Sequence, residues 1–347
     1  MTIRFLRRDA ASGVSTASNR KTHREKNETV FPQNLGRRQT DLRRQRREPL
    51  SIVGENVVSE NHPGLVERTF NTGEVQLNYA EGPAHGPPLV LLHGLGRRWQ
   101  VFLPVIPALS LRWHIFAPDL RGHGKSSRVA RGYHGSQYSE DIACLLRERL
   151  STPAVLFGHS LGGMLAMWVA SHHAELVRAL ILGDNMIVVP RLHNPMYTSL
   201  FSGLRDLARK GGSVEQIADG IGRIVLPVPG IDESVTIREL PGNDEAYLLS
   251  WARCVQQADP DAYEMTLDRS SLEGWDGEAV LRGITCPTLL LQAAQELGGL
   301  MSDADVALAT RLLTHHTHVK FRNLGHALFI QQPEPVLRAV TNFLESL

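Results

Sequence analysis

Cysteine is scarce and scattered. Cys144, Cys254 and Cys286 are the three in 347 residues, and no two of them stand in a Cys-x-x-Cys spacing. That excludes a disulfide framework and a thiolate metal site, and it fits a reducing compartment, so the expected location is cytoplasmic. Also missing is any apolar run near the roughly 18–20 residues that a membrane helix requires. Neither sign of charge dominates, with 37 Lys/Arg against 36 Asp/Glu. The balance is uneven, however: residues 1–50 hold 13 basic against 5 acidic side chains, which leaves 24 against 31 for the rest. The larger part is mildly acidic, which argues against a nucleic-acid partner. His315-His316-Thr317-His318 has no second ligand cluster at a fixed spacing from it, so it reads as a polar connection and no metal site is expected.

Residues 1–50 have little to bury, and their densest basic clusters are Arg37-Arg38 and Arg43-Arg44-Gln45-Arg46-Arg47. This composition predicts a disordered, solvated tail. A transit peptide for an organelle, a polyanion-binding arm and an unused upstream start remain open alternatives. A secretory signal is not expected, because no apolar stretch follows Ile3-Arg4-Phe5-Leu6-Arg7-Arg8.

The whole chain is 42% apolar, enough to bury a large core in one domain with an insertion or in two. The organising stretch is Ala154-Val155-Leu156-Phe157-Gly158-His159-Ser160-Leu161-Gly162-Gly163. A short apolar strand runs through Gly-x-Ser-x-Gly straight into a helical pattern. That context is a nucleophile elbow: the sharp turn forces the serine into a strained conformation and lifts its hydroxyl above the sheet edge. The N-terminus of the following helix favours negative charge beside it. Glycines on either side spare a collision with the neighbouring strand and helix.

Other strands surround the elbow. Val75–Tyr79 alternates as a half-buried edge strand does, and Leu89–Leu92 is continuously apolar, as a central parallel strand is. The latter runs into His93-Gly94-Leu95-Gly96, where an acyl-transfer enzyme puts its first oxyanion donor, here the N–H of Leu95; His93 reads as scaffold. Trp99–Leu109 reads as a helix kinked or delayed by Pro104 and Pro107. Trp113–Ala117 is the next strand, and Asp119, Arg121 and His123 after it read as a hydrogen-bonded loop. Ser136–Leu150 is an amphipathic helix with Ser136 or Ser139 as its cap, and Val177–Leu182 is a further strand.

The alternation of strand and helix predicts a doubly wound, mostly parallel α/β sheet. It stops over residues 186–285, where helical fragments (Leu200–Arg209, Val214–Ile224, Ala246–Gln257) are broken by prolines. This reads as an inserted helical cap between core segments 51–185 and 286–347, with Met186, Met196, Tyr197, Phe201 and Trp251 as candidate substrate contacts. The rhythm resumes with Pro287–Gln292, a helix over Ser302–Leu313, the strand His318–Phe321, the loop Asn323–Ala327 and a closing helix from Pro335.

Taken together, His93-Gly94-Leu95-Gly96, Asp119–Ser126, Gly158–Gly163 and Gly325-His326 resemble the α/β-hydrolase family of small-molecule esterases, lipases and lactonases, over about Leu65 to Leu347. The resemblance implies the chain order nucleophile, acid, histidine. It makes Ser160 the nucleophile, His326 the general base, and the N–H groups of Leu95 and Leu161 the oxyanion hole. No cofactor is implied. The family's aspartate after the penultimate strand is missing from Gln292–Gly299; Glu296 is the nearest carboxylate and the first choice, with Asp184 the second and no functional acid the third.

The expected activity is hydrolysis of a small carboxylic ester or lactone through an acyl-enzyme. A C–C bond hydrolase, with Arg97-Arg98 holding a substrate carboxylate, and a degenerate hydrolase serving as a small-molecule receptor are the alternatives. Serine as nucleophile argues against haloalkane dehalogenases and epoxide hydrolases, which need aspartate there.

Overall fold

Val155, Leu156 and Phe157 are all fully buried, which a strand allows only when both its faces are covered. The structure, a computed structural model, describes residues 64–188, 195–227, 234–240 and 242–347, all within the unit Ile52–Leu347. Among them the strands are β1 (Val66–Asn71), β2 (Gln76–Glu81), β3 (Pro88–Leu92), β4 (His114–Pro118), β5 (Ala154–His159), β6 (Val177–Gly183), β7 (Val225–Pro227), β8 (Ser234–Thr236), β9 (Thr288–Gln292) and β10 (His316–Lys320). The helices are α1 (Ile106–Leu109), α2 (Gly135–Arg149), α3 (Leu161–His172), α4 (Pro195–Lys210), α5 (Val214–Gly222), α6 (Glu245–Gln257), α7 (Pro260–Leu267), α8 (Gly277–Gly283), α9 (Asp303–Leu312) and α10 (Pro333–Glu345).

Eight strands form one sheet in the order β1-β2-β4-β3-β5-β6-β9-β10, antiparallel across the first two pairings and parallel from β4 to β10. Alternate residues feed opposite faces. Leu92, Leu156, Leu182 and Leu290 pack with Ile142 of α2, Leu165 of α3 and Leu281 of α8. Leu91, Phe157, Ile181 and Leu291 pack with Phe102, Phe329 and Val340 on the other side. The prediction of a doubly wound, mostly parallel α/β sheet therefore holds.

Several local expectations are corrected. Residues Val75–Tyr79 do not form an edge strand: β2 lies between β1 and β4, and β1 takes the edge. The alternation misled because Asn78, read as solvent-facing, is buried and donates its Nδ2 hydrogen to Asp119 Oδ2. Helix α2 starts at Gly135, so Ser136 and Ser139 lie inside it; the Gln137 side chain accepts from the His134 N–H. The helix expected over Trp99–Leu109 is a single 3-10 turn, Trp99–Phe102, followed by the four-residue α1. Proline is the cause, since it cannot continue the hydrogen-bond ladder.

Between β6 and β9 lie α4 to α8. Leu204, Ile217, Leu248, Trp251 and Tyr263 from α4 to α7 form an apolar cluster of their own, whereas Val280 and Leu281 of α8 join the core beneath the sheet. The sequence reading missed α7 and α8. The basic clusters of residues 1–50 lie outside the described residues.

Candidate active site

The turn at Ser160 is strained by construction. Ser160 has φ 55° and ψ −122°, a region L-residues avoid, between β5 and α3. Its N–H donates to the Gly183 carbonyl at 3.0 Å, and its own carbonyl accepts from Gly163 at 2.9 Å. A Cβ on Gly158 would stand 2.2 Å from the Gly162 carbonyl oxygen, and one on Gly162 would stand 2.1 Å from that of Leu92. Only hydrogen fits at either place, so the two glycines are what lets the strand turn into the helix this sharply.

His326 follows β10 and is partly exposed. Its Nδ1 donates to Asp184 Oδ2 at 2.7 Å. Asp184 stands immediately after β6, fully buried, itself at φ 47°. Its Oδ1 also accepts from the N–H groups of Ala293 (3.0 Å) and Met301 (3.1 Å), and its Oδ2 from Leu300 (2.8 Å). Burial alone would raise its pKa; the hydrogen bonds from His326, Leu300 and Ala293 overcome that and hold the carboxyl below its usual range. The group beside the histidine is thus a buried carboxylate with four donors.

The two candidate acids are placed differently. Glu296 lies exposed on the 3-10 turn Gln295–Leu297, while Asp184, the second choice, meets His326. The reason lies in the loop after β9. It carries no aspartate of its own and instead wraps the Asp184 carboxylate with three backbone N–H groups.

His159, between Gly158 and the serine, ties the two halves together. Its Nε2 donates to the His326 carbonyl at 2.8 Å, and the two rings lie 4.7 Å apart. Burial, then the neighbouring His326, depress its pKa, so it is neutral near pH 7.

The His93–Arg97 loop is held from the loop after β4. Leu120 N–H donates to His93 Nε2 at 3.0 Å, so the His93 proton is on Nδ1 and donates to the Gly94 carbonyl at 2.8 Å. Gly96 N–H donates to His123 Nε2 at 3.0 Å, and His123 Nδ1 donates to the Arg121 carbonyl at 2.9 Å. Burial pushes His93 down to about 4 and His123 down to about 3. Both rings are therefore neutral acceptors. Among the described residues, neither Leu95 N–H nor Leu161 N–H meets an acceptor.

Leu95, Ser160 and Leu161 line one apolar cleft with Met186, Tyr197 and Phe201, three of the expected contacts. Met164, Thr266, Ser271, Leu272 and Leu300 complete the lining and were not foreseen. Trp251 faces elsewhere: the Arg97 guanidinium sits 4.0 Å from its ring centroid and donates to Tyr247 Oη at 2.9 Å. Met196 packs in the helical cluster. Among the described residues, no group of three or more potential ligands could hold a metal ion, and no helix is long and apolar enough to cross a membrane.

Comparison with known proteins agrees with this fold. A family model described as the alpha/beta hydrolase fold matches residues 87–333. A 2-(acetamidomethylene)succinate hydrolase from Mesorhizobium japonicum is 26% identical over 289 residues, which cover 81% of this chain and 96% of the relative. A crystal structure of E-2-(acetamidomethylene)succinate hydrolase superposes with a TM-score of 0.61 at 25% identity, covering 81% of this chain and 99% of the other. The enol-lactonase of Burkholderia xenovorans LB400 shares the fold with a TM-score of 0.62 at 20% identity, over 80% of this chain and all of its own.

Proposed function

Because the chain belongs to the α/β-hydrolase family, we propose that it is a serine hydrolase that cleaves a small carboxylic ester or lactone through an acyl-enzyme. Ser160 is the nucleophile, His326 the general base and Asp184 the acid. The observation that carries this reading is the hydrogen bond between Asp184 and His326, together with the strained elbow that carries Ser160.

In this mechanism Asp184 fixes the tautomer with the proton on Nδ1, leaving Nε2 of His326 to take the serine proton. Ser160 Oγ then attacks the carbonyl carbon, and the oxygen that becomes negative is met by the bare N–H groups of Leu95 and Leu161. Collapse of the tetrahedral intermediate expels the alcohol, which receives its proton from His326. Water, deprotonated by the same histidine, attacks the acyl-enzyme and releases the acid. A deep carboxylate with four donors suits this role, because it stays charged while the imidazolium forms.

Helices α4 and α7 act as a cap over the site, since Tyr197, Phe201 and Thr266 line the cleft. The described lining is uncharged, which supports a neutral ester or lactone over a succinate-like substrate. Arg97, held by Tyr247 and Trp251, is not part of that lining. The test is turnover of nitrophenyl esters and simple lactones by wild type and Ser160→Ala. Ester hydrolysis that vanishes in the variant supports the reading, and undiminished hydrolysis overturns it.

A further inference from the structure

We propose that His123 is a positioning residue for catalysis: it orients the oxyanion donor of Leu95 by accepting the Gly96 N–H. The proposal rests on the serine-hydrolase reading and adds a residue to it that touches neither substrate nor nucleophile.

Leu95 sits between two peptide planes. Its own N–H shares a plane with the Gly94 carbonyl, and a trans peptide points the two in opposite directions. His93 Nδ1 donates to that carbonyl, which sets the direction of the Leu95 N–H from one side. The next plane joins the Leu95 carbonyl to the Gly96 N–H, and His123 Nε2 holds it at 3.0 Å. With both planes fixed, Leu95 cannot swing its N–H to another direction.

The pair works only if both rings are neutral and of one tautomer. The loop after β4 arranges this: Leu120 N–H donates into His93, and the Arg121 carbonyl accepts from His123. The rings are fully buried, with centroids 5.2 Å apart. Asp119 Oδ1 takes the Trp99 N–H at 2.8 Å and so pins the far end of the same loop. The His93–Trp99 segment is thus held at three points by residues 119–123. Gly96, at φ 67°, is the tight point, where an added Cβ would lie 2.0 Å from the Tyr263 oxygen. A side-chain acceptor from elsewhere is needed there because Gly96 is outside any helix or strand.

Without the His123 acceptor the Gly96 N–H is buried and unpaired, and the loop relaxes toward a different acceptor. A shift of about 1 Å in a catalytic group can cost on the order of 100-fold in rate.

The experiment compares wild type, His123→Phe and His123→Gln, each checked for a cooperative thermal transition. The readouts are kcat and KM for a nitrophenyl ester and the affinity of phenylboronic acid. Ser160 Oγ bonds to that boron, the serine proton passes to His326, and the boron becomes a tetrahedral anion with an oxygen toward Leu95. His123→Phe is expected to lower kcat about 10- to 100-fold with KM within about threefold, and to weaken the boronate by a similar factor. His123→Gln keeps an acceptor oxygen and is expected to recover most of the loss.

A folded His123→Phe with wild-type kcat and boronate affinity, or equal losses in Phe and Gln, overturns the proposal. If His123→Phe does not fold, nitrogen–nitrogen coupling across the Gly96 N–H···Nε2 bond in the wild type decides: its presence supports the role, its absence overturns it. Undiminished turnover by Ser160→Ala fails the underlying reading instead, and the His123 role falls with it.

Discussion

Nδ1 of His326 lies 2.7 Å from Oδ2 of Asp184, across 142 residues of sequence. The strand order explains how they meet: β6 and β9 are neighbours, β10 flanks β9, and all three are parallel. Their carboxyl ends therefore open on one side, where Asp184 and His326 both sit.

The account first predicts a division between two carboxylates. Asp184→Asn should lower kcat by on the order of 10⁴, as loss of a triad acid does. Because three backbone N–H groups also depend on this carboxylate, stability should fall by about 1–3 kcal/mol. Glu296→Gln, at an exposed position, should leave kcat within about threefold, inside the range of surface substitutions. Steady-state kinetics with a parallel thermal melt checks both; a dead Glu296→Gln would reverse the assignment.

A second prediction concerns the elbow. Gly162→Ala puts a methyl 2.1 Å from the Leu92 carbonyl oxygen, and that atom belongs to backbone that cannot yield. Urea unfolding should show a loss of at least about 2 kcal/mol, at the upper part of the range for overpacking. Wild-type stability in this variant would mean that the strand and helix are further apart than described.

Stability should also depend on pH in a defined sense. His93 and His123 are buried and depressed from the ordinary 6.5 to about 4 and about 3, and His159 is depressed too. The unfolded chain therefore binds these protons first. The histidines' contribution is fully present above about pH 6.5 and is lost as pH falls toward the folded values. Each costs up to about 1.4 kcal/mol per unit in that window, so three give up to roughly 4 kcal/mol per unit. Asp184, lowered as well, acts in the same direction at more acid pH. Urea melts from pH 7 to 4.5 measure the slope, and a flat profile contradicts it.

The cleft gives a fourth prediction. Its lining of Leu, Met and Phe side chains should reward hydrocarbon at about 0.8 kcal/mol per buried methylene, or about fourfold in kcat/KM. Activity should climb from nitrophenyl acetate to butyrate and then level off. Phe201→Ala, which removes part of the wall, should move that limit to longer chains; an unchanged length profile would place the acyl group elsewhere.

The fold and the elbow that carries Ser160 were legible because their signals are local. Gly158, Ser160 and Gly162 sit within one turn, and Leu89–Leu92 and Ala154–Phe157 are unbroken apolar runs. The carboxylate that meets His326 was not, since nothing near Asp184 in sequence announces that Ala293, Leu300 and Met301 will wrap it. Only the pairing of β6 with β9 brings that loop to it. For the same reason β2 was misplaced at the edge, because the partner of Asn78 is Asp119, on a loop far along the chain. Helix α8 was missed for its shortness: seven residues offer too few turns to display a period.

The most direct test of the triad is covalent. Treatment with a fluorophosphonate, followed by intact-mass and peptide mapping, should give one adduct on Ser160. The same treatment should give none in Ser160→Ala and a much slower one in Asp184→Asn. An adduct on another serine, or undiminished labelling of Ser160→Ala, would contradict the account.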